Sequence, residues 1–169
     1  CPPGLAPVTF SGKAVDTIRE RKNKVPNWYL DMTMIMNYWE GKKRVYHHTA
    51  PVNMIYGLYQ ALLLFFEEGP EKVCDRHATM HQRLVAGIEK MGLEMLVEKQ
   101  YRLPMLNTVK IPEGIDDASV RARLRNEYDI EIGAGLGPLA GKVWRVGLMG
   151  HTAREGNVDR FLSALAKVI

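Results

Sequence analysis

The sequence predicts an α/β fold with one β-sheet and helices on a face of it. After residue 70, segments with helical hydrophobic periodicity alternate with short segments of strand-like composition. The composition agrees, because 46% of the 169 residues are hydrophobic and 25% are charged, as in soluble globular proteins. This length is enough for one large domain or two small ones.

The net charge, the lack of long apolar runs and the two cysteines indicate which partners and which redox compartment the sequence favours. The formal net charge of +4 is modest and the basic residues are dispersed, which indicates a nucleic-acid-binding face only weakly. No apolar run approaches the roughly 20 residues that span a bilayer, and no signal peptide opens the chain. Cys1 and Cys74 lack metal-ligand spacing and indicate a reducing compartment without a disulfide framework.

The first forty residues predict a strand, a helix and a core segment. Leu5–Phe10 has strand-like composition, with Pro7 restricting it to an edge. Ser11 is placed to cap a basic surface helix over Lys13–Arg21. Trp28–Trp39 reads WYLDMTMIMNYW, and such a run of methionines and aromatic residues is typical of a core. A subunit interface uses the same residue types and is the alternative.

A long apolar helix is predicted in the centre of the chain. Thr49 is a plausible N-cap, Pro51 suits the first turn, and Gly69 followed by Pro70 ends the helix. The apolar residues recur at helical spacing, so we expect them to form one buried stripe. They are Val52, Ile55, Leu58, Tyr59, Leu62 and Phe66.

Two hydroxyl groups stand at or just before the start of this helix, on Tyr46 and Thr49. The N-terminus of a helix carries free N–H groups and partial positive charge, which favour an anion such as phosphate. An ordinary capped helix with a buried tyrosine is the alternative at this point.

A second long helix is predicted from Glu71 to Met91, ending at Gly92. His77 and His81 stand four residues apart on it, a spacing that can share a metal ion. The flanking residues offer no further ligand, so we predict no metal site there. The following segment, Leu93–Val97, has the composition of a strand.

The next elements alternate between strand and helix. A strand is predicted at Leu106–Ile111, then a helix capped by Asp116 or Asp117 that runs to Tyr128 and buries Val120 and Leu124. A short strand at Ile130–Ile132 leads into a flexible glycine loop at Gly133–Pro138, where the backbone can approach a ligand closely. The spacing of these glycines does not match a dinucleotide-binding motif.

The last strand carries the candidate substrate residue. In KVWRVGLMG, Arg145 shares one face with Val143 and Gly147, opposite Trp144 and its apolar neighbours. An arginine on an inner strand needs a partner, and a structural salt bridge and a substrate carboxylate are equally compatible with the pattern.

The final helix completes the predicted fold. Thr152 and Glu155 have the spacing of a capping box at its start. Its predicted core face consists of apolar residues at helical spacing, namely Val158, Phe161, Leu162, Leu165 and Val168.

Four motifs, CPPGLAPVTFS, YHHTAPV, YDIEIGAGLGP and KVWRVGLMG, occur in this order. Together they resemble the alanine–glyoxylate (serine–pyruvate) aminotransferases, which are class V, fold-type I enzymes dependent on pyridoxal phosphate. The resemblance covers essentially the whole chain and corresponds to the C-terminal half of that family. It implies that residues 1–68 are the end of the large cofactor-binding domain, including a long linking helix. Residues 69–169 would then form the small C-terminal α+β domain.

The resemblance also implies roles for individual residues. Tyr46 and Thr49 would hydrogen-bond the phosphate of pyridoxal phosphate, reaching across a homodimer into the neighbouring subunit's site. Arg145 would hold the α-carboxylate of the substrate, a role that suits a permanently charged guanidinium able to form two parallel hydrogen bonds. We expect His47 and His48 to have a structural role.

The same resemblance places the Schiff-base lysine just upstream of Cys1, so no catalytic residue is assigned within this chain. The chain begins without methionine, and we expect it to be part of a longer polypeptide whose N-terminal half is a partner. The implied reaction moves the amino group of alanine or serine to glyoxylate, giving glycine and a 2-oxo acid. Alternatives are another class V transaminase or lyase, a non-catalytic interaction fragment, and a basic nucleic-acid module.

The C-terminus Lys167–Ile169 is not a peroxisomal address, which favours a cytoplasmic protein. A peroxisomal or mitochondrial location is the expectation if the source is a eukaryote. We expect neither a nucleic acid nor a membrane as a partner.

Overall fold

The computed structural model describes residues 3–40, 43 and 45–169. The chain divides into two compact units, Cys1–Leu64 and Phe65–Ile169. The helices are α1 (Gly12–Arg19), α2 (Met32–Met36), α3 (Val52–Glu68), α4 (Pro70–Lys90), α5 (Asp117–Tyr128) and α6 (Glu155–Val168). The strands are β1 (Leu106–Lys110), β2 (Gly133–Ala134) and β3 (Val143–Gly147). No helix within the described ranges is long and apolar enough to cross a membrane.

The N-terminal part of the first unit contains helix α1 but not the predicted strand. Ser11 caps α1, accepting a hydrogen bond from the Ala14 N–H at 3.3 Å, as predicted. The predicted strand at Leu5–Phe10 is wrong, because residues 4–10 have no regular structure. Pro7 has no N–H to give to a ladder, and no neighbouring strand pairs with this segment in the described part of the chain.

The predicted burial of Trp28–Trp39 is also wrong for this chain. A 3₁₀ turn at Trp28–Leu30 and helix α2 form here, yet Trp28 and Trp39 expose 51% and 60% of their surface. Met36 and Asp31 are the buried residues of the run. An amphipathic pattern shows which side chains avoid water, but it needs a covering element before they are buried. The interface alternative stays a prediction.

Helix α3 forms where it was predicted and ends at Glu68, but its apolar stripe is not covered. No residue of α3 is buried, and Ile55 and Phe66 expose 46% and 66% of their surface. The start of the helix also differs, because Pro51 O accepts the hydrogen bond of the Ile55 N–H at 3.1 Å. Thr49 therefore lies two residues too early to be the N-cap.

The second unit is built around a three-stranded antiparallel sheet in the order β1-β3-β2. Strand β3 lies in the centre, with Thr108 of β1 and Gly133 of β2 both opposite Arg145. The predicted positions of β1 and β3 are therefore confirmed. The segment Leu93–Val97 forms a single bridge, between Met95 and Val109, and not a full strand.

The predicted strand at Ile130–Ile132 is wrong, because strand β2 lies at Gly133–Ala134, inside the predicted glycine loop. The reason is the C-terminal cap of α5, which uses the backbone of the residues that follow the helix. Asp129 adopts a left-handed conformation with φ of 53°, and the Ile130 N–H donates to Leu124 O at 3.1 Å. This arrangement satisfies carbonyl groups at the C-terminus of the helix and removes Ile130 from the sheet.

The second unit has a closed apolar core. The inner faces of α4, α5 and α6 pack around Trp144 of β3, which is fully buried. Asp116 caps α5 as predicted, accepting from the Ser119 N–H at 2.7 Å. The predicted core of α6 is confirmed, with Leu162 partly buried. Members of this core include Leu84, Ile88, Val120, Leu124, Val158, Phe161, Leu165 and Val168.

The predicted capping box of α6 is wrong. Thr152 belongs to a 3₁₀ turn at Gly150–Thr152, where its hydroxyl accepts from the Met149 N–H at 2.9 Å. The residue before α6 is Arg154, which makes no side-chain cap. The Thr152 hydroxyl thus caps the 3₁₀ turn that precedes α6, and it does not cap α6 itself.

Candidate functional site

Tyr46 and Thr49 come together in front of α3. The Tyr46 hydroxyl lies 2.6 Å from Thr49 Oγ1, and both side chains are exposed, Tyr46 by 67%. The alternative of a buried tyrosine beside an ordinary cap is therefore wrong. Two adjacent hydroxyls can both turn to one anion, and the N-terminus of a 17-residue helix follows three residues later. The donor set fits a phosphate group.

The two histidines between these hydroxyls were given no specific role by the sequence. His47 is buried, at 8% exposure, and stacks on the Trp28 ring with centroids 4.4 Å apart. The Nδ1 atoms of His47 and His48 are 2.7 Å apart, a hydrogen-bond distance. No spacing rule indicated this contact, since adjacent residues in a loop have no fixed side-chain relationship.

Arg145 lies on the opposite face of β3 from the buried Trp144. Its Nε donates to Ala134 O at 2.7 Å, which fixes the plane of the guanidinium. No carboxylate in the described ranges forms an ion pair with it. The described residues thus provide no structural salt bridge for Arg145. A guanidinium fork matches a small carboxylate ligand.

Two glycines of the segment beside Arg145 make close contacts within the protein, while the flexibility of the loop stays a prediction. A Cβ on Gly135 would come within 1.9 Å of Leu139 O, which leaves room for glycine alone. A Cβ on Gly133 would come within 3.2 Å of an Arg145 terminal nitrogen. The glycines therefore allow close contacts within the protein, including the approach of the guanidinium to the β2 backbone.

The histidine pair on α4 is occupied by hydrogen bonds within the protein. His77 is buried, and its Nδ1 lies 2.6 Å from Val73 O while its Nε2 accepts from the Gly150 N–H at 3.0 Å. His81 Nδ1 lies 2.6 Å from Oδ1 of the buried Asn107. Both nitrogens of His77 are thus engaged.

A charged cluster at the end of β3 was not predicted. Arg76 donates to Gly150 O and Ala153 O at 2.8 and 2.9 Å, and its other nitrogens pair with both carboxylate oxygens of Glu68. The hydrogen bond from Arg76 holds the pKa of the Glu68 carboxyl below its ordinary value. Together with His77, Arg76 holds both the N–H and the C=O of Gly150 in the turn that follows β3.

No protein-family model matches the chain. The chain is 43% identical to an alanine–glyoxylate aminotransferase of Drosophila melanogaster, over 99% of this chain and 43% of the relative. It is 35% identical to an (S)-ureidoglycine–glyoxylate transaminase of Bacillus subtilis, over 99% of this chain and 44% of the relative.

Among solved structures, an alanine–glyoxylate aminotransferase from Nostoc sp. is similar, with a TM-score of 0.92 and 50% identity. The match covers 99% of this chain and 44% of that protein. The chain therefore spans less than half the length of the relatives it matches. Over that span, sequence and fold agree from one end of the chain to the other.

Proposed function

We propose that this chain, which belongs to the alanine–glyoxylate aminotransferase family and corresponds to its C-terminal part, binds the substrate carboxylate and the cofactor phosphate of a transaminase. The reaction would transfer the amino group of a small amino acid, alanine or serine, to glyoxylate, giving glycine and a 2-oxo acid. The cofactor would be pyridoxal phosphate. When bound, this group withdraws electrons from the substrate carbon, while the protein supplies orientation and charge.

The observation that carries the proposal is the state of Arg145. Its Nε is already bound by Ala134 O at 2.7 Å, and its charge is not neutralised by any carboxylate among the described residues. A guanidinium that faces no protein anion and is held on a central strand is preorganised for a ligand carboxylate. Both the amino acid and the 2-oxo acid carry such a group, so one residue serves both halves of the reaction.

The hydroxyls of Tyr46 and Thr49 would hold the cofactor phosphate. Their exposure and their separation of 2.6 Å support this role, as does the helix N-terminus that follows. The lysine that forms the covalent bond to the cofactor in this family would lie upstream of Cys1 in the same polypeptide. The chain described here would thus bind and orient, while the remainder of the protein would supply that lysine.

We further propose a homodimer in which the Tyr46–Thr49 segment serves the neighbouring subunit's site. The exposed apolar side chains of the first unit support an interface, because surface aromatic residues and methionines are enriched there. They include Trp28, Tyr29, Trp39, Ile55, Tyr56 and Tyr59. The N-terminal half of the polypeptide is the other surface that would cover them.

The test uses the full-length polypeptide that carries this chain. Arg145→Ala should raise the apparent KM for amino acid and 2-oxo acid alike by roughly 10- to 100-fold, since a charge-assisted bidentate contact is lost. Arg145→Lys should restore little, because an ammonium lacks the planar fork. Exposed Arg125 provides the matched control, and Arg125→Ala should leave both constants unchanged.

The opposite outcome would be loss of cofactor with normal KM values in the remaining active protein, and it would make Arg145 a structural residue.

The same assay separates the candidate amino donors. Alanine, serine and (S)-ureidoglycine should be compared at equal concentration, because a relative of 35% identity is named for the last of these. Preference for ureidoglycine would replace the proposed donor but not the proposed role of Arg145.

A further inference from the structure

The segment that carries the two hydroxyls is not held by its own backbone. Residues 45–49 take part in no backbone–backbone hydrogen bond with any other described residue. Helix α3 begins only at Val52, so its hydrogen bonds do not fix the segment either. A stretch of this kind keeps its conformation only if its side chains are anchored. The exposed Tyr46 and Thr49 bond to each other, and the Tyr46 ring lies 6.4 Å from the Tyr38 ring, centroid to centroid. The closer ring contacts of the segment are made by the two residues between them.

His47 and His48 provide that anchor through an aromatic cluster. The His47 ring stacks on Trp28 with an interplanar angle of 15°, and the edge of Tyr29 meets His48 with centroids 4.9 Å apart. The two partners are consecutive residues of one 3₁₀ turn, which Asn27 caps by accepting from the Tyr29 N–H at 3.0 Å. Two adjacent rings of the segment thus dock on two adjacent rings of a capped turn.

The histidines are also joined to each other. Their Nδ1 atoms are 2.7 Å apart, so one nitrogen must carry the proton and the other must accept it. His47 Nε2 is buried and has no partner among the residues described. A buried N–H without an acceptor is the rarer state, so we assign the shared proton to His47 Nδ1 and the lone pair to His48 Nδ1. This assignment leaves the more exposed Nε2 of His48 with the second proton.

We propose that His47 and His48 are positioning residues that hold the Tyr46–Thr49 hydroxyl pair in place to bind the cofactor phosphate. The proposal rests on the proposed function, because it takes the phosphate site as given. The ligand class is a phosphate monoester, and neither histidine touches it. Breaking the contact between the histidines should loosen the segment and weaken phosphate binding, while the substrate contact at Arg145 is unaffected.

The experiment titrates pyridoxal phosphate into the full-length apoenzyme and follows protein fluorescence. His47→Phe and His48→Phe keep a ring against Trp28 and Tyr29 but remove the nitrogen–nitrogen hydrogen bond. Each variant should weaken the apparent Kd by about fivefold, the effect of one hydrogen bond. The double variant should be no weaker than either single one, because the two residues act through one shared contact. Exposed His151 is the control, and His151→Phe should bind as wild type does.

Two further measurements separate a positioning role from general damage. At saturating cofactor, the KM for the amino acid and the thermal midpoint should match those of wild type in both single variants. A rise in KM, or a fall in the midpoint that accounts for the weaker binding, would overturn the proposal. If either variant is too unstable to titrate, Trp28→Ala removes the ring on which His47 stacks and should weaken the Kd by a similar factor.

Thr49→Ala distinguishes this inference from the proposed function. If Thr49→Ala weakens cofactor binding and the histidine variants do not, the phosphate site stands and the positioning role is wrong. If Thr49→Ala also binds as wild type does, the phosphate assignment itself has failed. Additive loss in the double histidine variant would show that the two residues act separately, which contradicts the shared contact.

Discussion

The two compact units place their apolar side chains in opposite ways. Apart from Met36, the buried hydrophobic residues of the described chain lie between Leu84 and Val168, in the second unit. The first unit instead exposes large aromatic and aliphatic side chains, such as Trp39 and Tyr56. What differs is whether the described elements of a unit cover one another's apolar faces.

Helix α3 shows what this difference teaches. Its stripe has the periodicity of a buried face, yet no residue of the helix is buried. Helix α4 has a similar pattern, and there Leu84 and Ile88 are fully buried against other elements. A periodic apolar stripe thus predicts which face of a helix is suited to burial, but it does not identify the element that covers this face. The following substitutions test whether the first unit lacks a core and the second depends on one.

The largest effect is expected at Trp144. The side chain is fully buried on the central strand, and its Nε1 donates to Asp117 Oδ1 at 3.1 Å. Trp144→Ala should lower the free energy of unfolding by about 3–5 kcal/mol, because it leaves a large cavity in the core. Urea denaturation followed by circular dichroism measures the change. Trp144→Phe is the control and should cost less, since it keeps most of the buried volume.

A smaller loss is expected at Gly135, where a Cβ would overlap Leu139 O. Gly135→Ala should destabilise the second unit by about 1–3 kcal/mol, as in overpacked sites. Gly156 in α6 is the matched control, because nothing lies within 4 Å of its added Cβ. Gly156→Ala should be neutral or slightly stabilising, since it reduces the freedom of the unfolded chain. Equal effects at both positions would contradict the steric argument.

An acid-dependent effect is expected at Glu68. Its pKa lies below the ordinary value of 4.5 because Arg76 donates to its carboxylate, so the ionised form stabilises the fold above that value. This contribution is lost as the pH falls through the lowered pKa. The thermal midpoint of Glu68→Gln should therefore lie below that of wild type near neutral pH, and the gap should close in acid. A gap that stays constant down to strongly acidic pH would show that charge is not responsible.

The smallest effect is expected at Trp39. With 60% of its surface exposed, it has little to lose on truncation, so Trp39→Ala should change the stability of this chain by less than about 0.5 kcal/mol. The same urea denaturation measures it beside Trp144→Ala. A loss comparable to that of Trp144→Ala would mean that the first unit has a core of its own, and the comparison would fail.

Local signals predicted much of the second unit. Asp116 as the cap of α5 and the alternating faces around Arg145 were both predicted, because each depends on residues close in sequence. The wrong predictions concern groups that have two possible hydrogen-bond partners close by in the chain. The Thr152 hydroxyl forms a hydrogen bond within its own turn and does not cap α6. The Ile130 N–H caps the end of α5, and Ile130 does not join the sheet. Spacing cannot decide which of two nearby partners a group will choose.

In the candidate site, too, features that depend on residues close in sequence could be predicted, and contacts between distant residues could not. Arg145 could be placed on its face by the period of the strand, and Thr49 could be paired with Tyr46 because both stand near a helix start. The anchoring of His47 on Trp28 joins residues nineteen positions apart through a loop, and no periodicity relates them. Contacts of this kind depend on the tertiary fold and had no signal in the sequence.

The strand order has a consequence for how the protein is made. Strands β1 and β2 do not pair with each other, and both bond to β3, which follows them in the chain. During synthesis the sheet therefore cannot start to form until β3 has left the ribosome. At about 5–20 residues per second, the stretch from Lys110 to Gly147 takes roughly two to seven seconds. For that time β1 presents an unpaired edge and the apolar Val109 to its surroundings, which makes the nascent chain most prone to aggregation just before its sheet closes.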